Sequence, residues 1–583
     1  LHPLHFAVTF GAVNTGVDPR TGMYSCSISL PGVAANNLCG PTIGLSLGFS
    51  ALNPVDAGFG TGWSLATTRY DTVRKRLSLS SGESFLVDDF DAVNDTATFK
   101  DRKLRSFDLV RETSGDYRLV HKAGHAEFLT VLPGSEGVAV LHELRSPEGH
   151  VVKLDQRAAG GIVKLREIAD GTGRVLLSVD YALYETRVTL HPESQQAVSF
   201  TFRFTNHWLM GMDLPDGYGD GWVFGYEVRR AARRSLWRRL RSRFVPDSLP
   251  KVDLGLLLLK SVTVPTGGRE EVTYSHVGHA LPGGTERPLS HMPYVTRFVR
   301  SPGHEQPDVE TRYEYSSHNF FGFGVLDDWL DGEDNLYRVV MPPNQSYEYS
   351  SVETLYDGGD PVRTIERTFN RFHLLTREVN RQEGCVREVV TVYDEDPDTS
   401  FAGQVPWCQL PIEIRTTYST YEAGARGAQA RSPEYVKTTR YDEDGNVLQA
   451  TDERGATESF VYYPAEGDGE RCPPDPLGFV RFVRQKCIRP PVGTDGPVRL
   501  TRYTYQKQSH LGDDDAYHLL PWTETLHQER DGVVGVVLGT TIQTFLNDYG
   551  PHHGRPLQTI SRHDQAENRV DYAYGFPPPE KDA

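Results

Sequence analysis

The residues best suited to chemistry are a serine within a G-x-S-x-G pattern and two histidines four positions apart. Gly44-Leu45-Ser46-Leu47-Gly48 matches the hydrolase elbow, in which the serine occupies a strained turn between a strand and a helix. Ser46 instead lies in the alternating run TIGLSLGFSAL, with no helical pattern after it. We therefore expect an ordinary strand serine.

His121 and His125 would lie on one face of a helix and form a metal-binding pair there. The surrounding sequence LVHKAGHAEFL is typical of a hairpin, because Lys122-Ala123-Gly124 follows His121 as a turn. The helical arrangement that would pair the two rings is then missing. We expect no metal site and no bound cofactor.

Two glycine-rich segments resemble phosphate-binding loops, GFGTGW (58–63) and GYGDGW (217–222). Neither has the spacing of such a loop or a helix after it, so we expect turns that allow Trp63 and Trp222 to pack on a sheet. Asp442, Asp444 and Gly445 resemble the start of a calcium loop without the glutamate that completes it. Turn formation explains them.

The elements that would position these residues are strands, and the clearest are in residues 435–463. This segment alternates between polar and apolar residues and is interrupted by Asp-Gly and Arg-Gly turns, which predicts strand, turn, strand, turn, strand. An echo lies at 545–574, and further Tyr-Asp dipeptides follow strand-like runs. The signature residues of this degenerate repeat are Tyr356, Asp357, Tyr393, Asp394, Tyr441, Asp442, Gly445, Asp452, Tyr462, Asp564 and Tyr574.

A repeated hairpin cannot bury an apolar face alone and must stack on its neighbours. The composition agrees, with 28 Tyr, 26 Phe and 55 Gly residues, and long helical blocks are missing apart from one basic segment. We predict an all-β chain with more than roughly 40% strand, against the 20–25% typical of globular proteins.

Taken together, several segments resemble the RHS or YD-repeat family of bacteria, and the resemblance covers nearly all of the chain. They are the Tyr-Asp repeats and residues 16–65, 78–87, 264–272, 363–376 and 462–481. The resemblance implies a long spiral antiparallel β-sheet that forms part or all of a hollow shell around a C-terminal toxin. Such shells belong to insecticidal toxin complexes and to other polymorphic toxins used in bacterial competition.

The resemblance also implies partners and a location. The expected partners are a C-terminal toxin passenger or the remaining RHS core, and a secretion-apparatus or toxin-complex subunit. The chain would be made in the bacterial cytoplasm without a signal peptide and then secreted or delivered by a specialised system. The N-terminal sequence LHPLHFAVTFG agrees, since it lacks a basic region and a cleavage site.

RHS cores that cut off their toxin do so beside a D-P-x-G motif at the end of the core. Asp475-Pro476-Leu477-Gly478 matches this motif, but strand-like sequence follows it at 500–506 and again at 545–574. We expect an Asp-Pro turn here rather than a cleavage site.

One basic segment, VRRAARRSLWRRLRSRF (228–244), interrupts the acidic chain and predicts a helix. A stripe of Leu236, Trp237, Leu240 and Phe244 favours a solvated helix docked on the sheet. The other interpretation is contact with RNA, lipid headgroups or an acidic partner. The arginines available for a partner are Arg229, Arg230, Arg233, Arg234, Arg238 and Arg239.

The remaining composition excludes several classes. The net charge of −17 argues against general nucleic-acid binding, and six cysteines without C-x-x-C spacing favour free thiols. The longest apolar run, LGLLLL (254–259), is far shorter than a membrane helix of about 20 residues. We divide the chain into an N-terminal part of the core sheet (1–227), a basic helical insertion (228–250), a central core (251–434), a YD-repeat segment (435–575) and a boundary or linker (576–583).

The function that follows is a non-enzymatic shell segment that encapsulates a toxin absent from this chain. The alternative is a module that recognises carbohydrate or protein at a cell surface, with Trp208, Trp329, Trp407 and Trp522 as stacking platforms. No candidate catalytic pattern has the context its chemistry needs, so we expect no enzyme.

Overall fold

The computed structural model describes residues 13–35, 40–215, 221–229, 256–283, 291–330, 332–421, 430–494, 496–530 and 533–575. Strands account for 55% of these residues, and none of them belongs to a helix of seven residues or more. The predicted all-β class and strand content are confirmed. The described residues also hold no helix long and apolar enough to span a membrane.

The strands of the first half are β1 (Val13–Val17), β2 (Tyr24–Ser29), β3 (Val33–Ala34), β4 (Thr42–Ile43), β5 (Ser46–Phe49), β6 (Trp63–Leu65), β7 (Arg69–Asp71), β8 (Arg76–Ser78), β9 (Ser84–Phe90), β10 (Ala97–Phe99), β11 (Phe107–Arg111), β12 (Tyr117–His121), β13 (Ala126–Val131), β14 (Val138–Arg145), β15 (Val151–Ala159), β16 (Ile162–Asp170), β17 (Val175–Tyr181), β18 (Glu185–Leu190), β19 (Val198–Thr205), β20 (Trp208–Asp213), β21 (Trp222–Arg229), β22 (Leu256–Thr263), β23 (Arg269–Tyr274), β24 (His279–Ala280), β25 (His291–Met292), β26 (Val295–Ser301) and β27 (Val309–Tyr315).

Those of the second half are β28 (Glu348–Asp357), β29 (Asp360–Asn370), β30 (Leu375–Gln382), β31 (Cys385–Tyr393), β32 (Pro411–Thr420), β33 (Ala430–Arg431), β34 (Tyr435–Tyr441), β35 (Val447–Thr451), β36 (Thr457–Tyr462), β37 (Val483–Arg489), β38 (Val498–His510), β39 (Asp513–Arg530), β40 (Val533–Phe545), β41 (Pro556–His563) and β42 (Ala566–Asp571). Two short 3-10 helices, Leu336–Arg338 and Phe401–Gly403, complete the described elements.

Most strands belong to one long antiparallel sheet in which consecutive strands pair, except that β23 pairs with β26, β32 pairs with both β33 and β34, and β14 also pairs with β7. Short hairpin connections explain this order, since antiparallel strands can be joined by a few residues. The sheet does not close on itself. Three smaller sheets stand apart from it: β1-β2-β5-β6, β3-β4 and β24-β25.

The two ends of the long sheet differ. The first strand, β7, is covered because Val138–Val140 of β14 pair with it, while Glu143–Arg145 of the same strand pair with β15. At the other end, β42 pairs with β41 alone among the described residues. An uncovered strand presents unpaired N–H and C=O groups, so this edge is open to further pairing.

Residues 13–315, which we term the core region, share one continuous apolar cluster from Tyr24 to Tyr313. The small sheet β1-β2-β5-β6 supplies buried side chains to this cluster together with the long sheet. Trp63 is fully buried, with its ring 5.3 Å from that of Phe224, and its indole N–H donates to the Tyr226 hydroxyl at 2.9 Å. The small sheet therefore packs against the first part of the long one.

Residues 435–575, which we term the wall region, are organised differently. Strands β34, β35, β36, β41 and β42, whose residues are all described, contain no buried residue. The apolar cluster of this region centres on three buried residues, Tyr463, Cys472 and Leu519. The predicted strand-turn-strand-turn-strand of 435–463 is confirmed, and its strands leave neither face of the sheet fully buried.

The predicted basic helix is wrong at its first two residues. Val228 and Arg229 end β21, where they pair with Leu257 and Leu256. The apolar run that follows the basic segment forms β22, and its first leucines pair with the last residues of β21. The other candidate contact residues, Arg230, Arg233, Arg234, Arg238 and Arg239, lie outside the described residues, as do 576–583.

Candidate functional site

The tyrosines of the repeat occupy one structural position. Tyr441, Tyr462 and Tyr393 each end a strand at a bulge, where the register shifts against the next strand. Each hydroxyl donates to a carbonyl at the start of a preceding strand: Tyr441 to Pro411 at 3.1 Å, Tyr462 to Val447 at 3.1 Å and Tyr393 to Leu375 at 3.3 Å.

This arrangement ties three strands together at one residue. A bulge bends its strand and increases the local twist, and the hydroxyl bond fixes where the bend occurs relative to the preceding strand. The tyrosine thus couples sheet curvature to register. Tyr574 donates in the same way to Pro556 at 2.9 Å, just after β42.

The aspartates of the repeat form the turns. One Asp442 carboxylate oxygen accepts from the N–H groups of Asp444 at 3.0 Å and Asn446 at 2.8 Å. Asp452 binds Arg454 and Ala456 in the same manner. Gly445 has φ +76°, a conformation that disfavours other residues. The predicted turn chemistry is confirmed here.

The remaining signature residues of the repeat make different contacts from one another. Tyr356 also lies at a bulge, but its ring packs on the Arg312 guanidinium, 4.3 Å away. Asp357 pairs with Asp360 across a hairpin, and Asp394 accepts from the Trp407 indole at 2.8 Å. Asp564 occupies a hairpin turn with φ +50°.

Sequence reasoning missed three tyrosines in the same position. Tyr226, Tyr274 and Tyr505 lie at bulges, and their hydroxyls donate to Leu209, Leu259 and Val483. None is followed by Asp, so the dipeptide did not reveal them. A tyrosine at the end of an alternating run is the signal that would have found them.

The turn between β12 and β13 contacts the wall region in what we call the repeat seam. Lys122 Nζ donates to the Asp444 carbonyl at 2.9 Å and to Asn446 Oδ1 at 2.8 Å. Arg481 Nη1 donates to the Lys122 carbonyl at 2.6 Å. The repeat hairpin is thereby joined to a turn more than 300 residues earlier in the chain.

Asp475 of the D-P-x-G motif belongs to the same seam. Its carboxylate is 1% exposed and binds the Arg481 guanidinium through two bonds of 3.0 Å. It also accepts from the Phe479 N–H at 3.1 Å. The predicted Asp-Pro turn is confirmed, and the carboxylate is used to hold the seam.

A second contact between the regions, the histidine seam, joins the 146–150 loop to β38, β39 and the 546–555 loop. His150 Nε2 lies 3.2 Å from the His553 carbonyl oxygen, and the rings of His510 and His518 are 5.9 Å apart. Neither ring nitrogen of His518 has a hydrogen-bond partner among the described residues. Burial lowers the pKa of His518 to about 4.

The other predicted motifs behave as structural elements. Ser46 begins β5, and its hydroxyl lies 3.5 Å from that of Ser29. In the first glycine segment, a Cβ at Gly58 would lie 2.2 Å from the Tyr181 ring and one at Gly62 2.4 Å from Phe49. The predicted turn before buried Trp63 is confirmed. Gly217 and Gly219 lie outside the described residues.

His121 and His125 are brought together by the hairpin itself. The His121 N–H donates to the His125 carbonyl across the turn, so the two residues are cross-strand partners. Their rings stack at 4.0 Å with an interplanar angle of 15°. His121 Nε2 lies 2.8 Å from Glu127 Oε1. The hairpin was predicted correctly, but the inference that it separates the rings was wrong.

This cluster is partly buried and borders a cavity. Glu127 is 5% exposed, whereas both histidines are half-buried. Burial, and then the neighbouring His121 ring, lower the pKa of His125. His125 and Glu127 line a cavity of about 390 Å³ between the β12–β13 hairpin and residues 41–45 and 66–67.

The described cysteines have no disulfide partner. Cys26, Cys385, Cys408, Cys472 and Cys487 are free thiols, as predicted, and Cys39 lies outside the described residues. Burial raises the pKa of Cys408 and Cys472 to about 11, which keeps both thiols protonated near neutral pH.

Of the four tryptophans proposed as stacking platforms, Trp522 is exposed and the others are half-buried.

No protein-family model and no curated protein matches the sequence. Among solved structures, TcdB2-TccC3 without its hypervariable C-terminal region matches 98% of this chain and 44% of its own, at 9% identity and a TM-score of 0.29. TcdB2-TccC3 matches 95% of this chain and 43% of its own, at 10% identity and a TM-score of 0.28.

The N-terminal domain of effector protein SpvB from Salmonella typhimurium strain LT2 matches 68% of this chain and 99% of its own, at 13% identity and a TM-score of 0.16. This chain spans less than half the length of the two TcdB2-TccC3 chains.

Proposed function

We propose that this chain is a non-enzymatic segment of an RHS/YD-repeat shell that encloses a toxin passenger. Its work is then mechanical: it keeps a polypeptide away from water, proteases and the producing cell. The repeat tyrosines and aspartates set the curvature and register of the wall rather than forming a catalytic centre.

The observation that carries this proposal is the lack of buried side chains on strands of the wall region. Strands β34, β35, β36, β41 and β42 contain no buried residue, so both faces of the sheet are accessible there. A sheet with two accessible faces is suited to surround contents.

The exposed start of β40 supports the same interpretation. Strand β40 begins with consecutive exposed aliphatic residues, so both of its faces are uncovered there. Val533 and Val536 are 70% and 72% exposed. Apolar side chains left in this state favour contact with further polypeptide, here the remaining core or the passenger.

The absence of enzymatic activity is part of the proposal. The Ser46 hydroxyl faces another serine, and the Asp475 carboxylate is fully bonded within the repeat seam. Neither arrangement provides a nucleophile with a general base. Toxicity in the complete gene product would then belong to sequence outside this chain.

The experiment compares the chain alone with the complete gene product that contains it. Expressed alone in susceptible cells, the chain should neither arrest growth nor bind a glycan array. In the complete product, any non-repetitive polypeptide joined to the shell should resist proteinase K until the shell is unfolded with urea.

Two results would overturn the proposal. One is growth arrest by the chain alone that Ser46→Ala or Asp475→Asn abolishes, which would indicate an enzyme. The other is glycan or cell binding by the chain alone that Trp522→Ala abolishes, which would favour the recognition module.

A further inference from the structure

Three side chains of the β12–β13 hairpin have the chemistry and the placement of metal ligands. We propose that His121, His125 and Glu127 bind one divalent transition-metal ion of the zinc type. This site is independent of the shell function.

The register of the hairpin places all three on one face. Leu119 pairs with Glu127, and the next partners on that face are His121 and His125. Alternate residues of a strand point to the same side, and directly opposed residues have neighbouring side chains. Strand pairing therefore brings the two imidazoles and the carboxylate side by side.

The distances are close to those of a bound state. One donor atom from each residue lies within 4.8 Å of the others, and His121 Nε2 is already 2.8 Å from Glu127 Oε1. Tetrahedral zinc with bonds of about 2.0–2.1 Å separates its donors by about 3.3 Å. The two imidazole rings stack nearly parallel, so both would rotate about their side-chain bonds until their nitrogen lone pairs point to one ion.

The surroundings leave the site available. Lys122, between the two histidines, directs its ammonium group away to Asp444 and Asn446. The Arg145 guanidinium, which also lines the cavity, binds Glu143 at 2.6 Å and packs 4.8 Å from the Phe128 ring. Arg481, which donates to the Lys122 carbonyl, is likewise paired with Asp475. These three cations therefore have other partners, and the cavity offers room for a water at the open coordination position.

The donor set selects the kind of ion. Imidazole nitrogen suits zinc and the neighbouring late transition metals, whereas calcium and magnesium require mostly oxygen ligands. Two imidazoles and one carboxylate with an open position match zinc coordination with three protein ligands. Because the ligands come from both strands, the ion would also stabilise the hairpin whose turn forms the repeat seam.

The test uses the purified full chain after removal of metals by EDTA and dialysis. Titration with Co²⁺, which reports its coordination through visible d–d absorption, should show one tight equivalent that Zn²⁺ displaces. His125→Ala and Glu127→Gln should each weaken Co²⁺ binding by at least about 100-fold, because each changes a direct ligand and loss of an outer-shell partner alone costs about 10–100-fold. The control His207→Ala removes an exposed histidine of another loop and should bind like the original chain.

Folding is separated from binding by the choice of variants. Glu127→Gln keeps the size of the side chain and an oxygen that can accept from His121, so its circular dichroism spectrum should be unchanged. The proposal is overturned if the original chain shows no single tight equivalent. It is equally overturned if a folded Glu127→Gln chain binds Co²⁺ as tightly as the original.

Discussion

The core region and the wall region use the same antiparallel hairpins but bury their side chains very differently. Strand β11 of the core region has three consecutive buried residues, Phe107, Asp108 and Leu109. Strand β42 of the wall region is exposed at every position. Local alternation and turn residues therefore suffice to specify strands, while the source of stability changes along the chain.

The core region is stabilised mainly by burial of apolar surface, which contributes about 25 cal/mol for each Å² removed from water. The wall region has little buried surface and depends on backbone pairing, tyrosine hydroxyl bonds and two seams with the core region. This difference is what a wall with accessible faces requires. It also means that equal substitutions in the two regions should have unequal effects.

The largest expected effect comes from truncating one leucine in each region. Leu209→Ala, in β20, removes a fully buried side chain and should lower the free energy of unfolding by about 2–5 kcal/mol. Leu557→Ala, in β41, truncates a side chain that is 44% exposed and should change it by less than about 0.5 kcal/mol. Urea unfolding followed by circular dichroism measures both, and equal losses would remove the distinction between the regions.

Acidification should weaken the histidine seam. Burial lowers the pKa of His518 to about 4, below the ordinary value of 6.5 for an unfolded histidine. The unfolded chain therefore takes up the proton first, so stability is complete above about pH 6.5, falls towards pH 4 and then levels off. The loss from this one group is about 3 kcal/mol.

Urea midpoints measured across this pH range test the expectation, with His518→Leu as the variant. The variant should lose part of the decline below pH 6.5. His279 lies in the core region, and burial also lowers its pKa to about 4. Its contribution to the loss of stability below pH 6.5 should be the same in the original chain and in the variant. An unchanged pH profile in the variant would show that His518 does not titrate as expected.

The repeat seam gives a smaller, more local effect. Lys122→Met removes two hydrogen bonds from an ammonium group to the 442–446 turn and should cost about 1.5–3 kcal/mol. Hydrogen exchange should speed up at that turn while the core strands stay protected. Lys153→Met, at an exposed position of β15, is the control and should change neither quantity.

The smallest effect concerns the tyrosine position. Tyr462→Phe removes the hydroxyl bond to Val447 and should cost about 1 kcal/mol without altering the fold. Tyr435→Phe, at an exposed tyrosine of β34, should cost almost nothing. If both variants unfold at the same urea concentration, the hydroxyl bonds do not stabilise the wall.

Much of this architecture could be predicted from local sequence. The strands of 435–463, the Asp442 turn and the glycine turn before Trp63 follow from alternation and backbone conformation, which are properties of a few adjacent residues. Tyr226 and Tyr274 were missed because the repeat was recognised by a tyrosine followed by aspartate. A tyrosine can occupy the bulge without an aspartate after it.

Contacts that depend on strand register or on segments distant in sequence could not be predicted from the sequence. His121 and His125 meet because they are cross-strand partners, which a helical spacing rule cannot reveal. The Lys122 contact with Asp444 joins residues 322 positions apart, and no local pattern encodes it. The end of β21 at Arg229 likewise depends on its partner strand, since leucines after the basic segment complete the pairing.

Small-angle X-ray scattering of the purified chain tests the central claim most directly. A compact globule of 583 residues has a radius of gyration of about 25 Å. A wall with accessible faces predicts a clearly larger radius and a distance distribution shifted to long distances. A radius near 25 Å with the distribution of a solid sphere would contradict it.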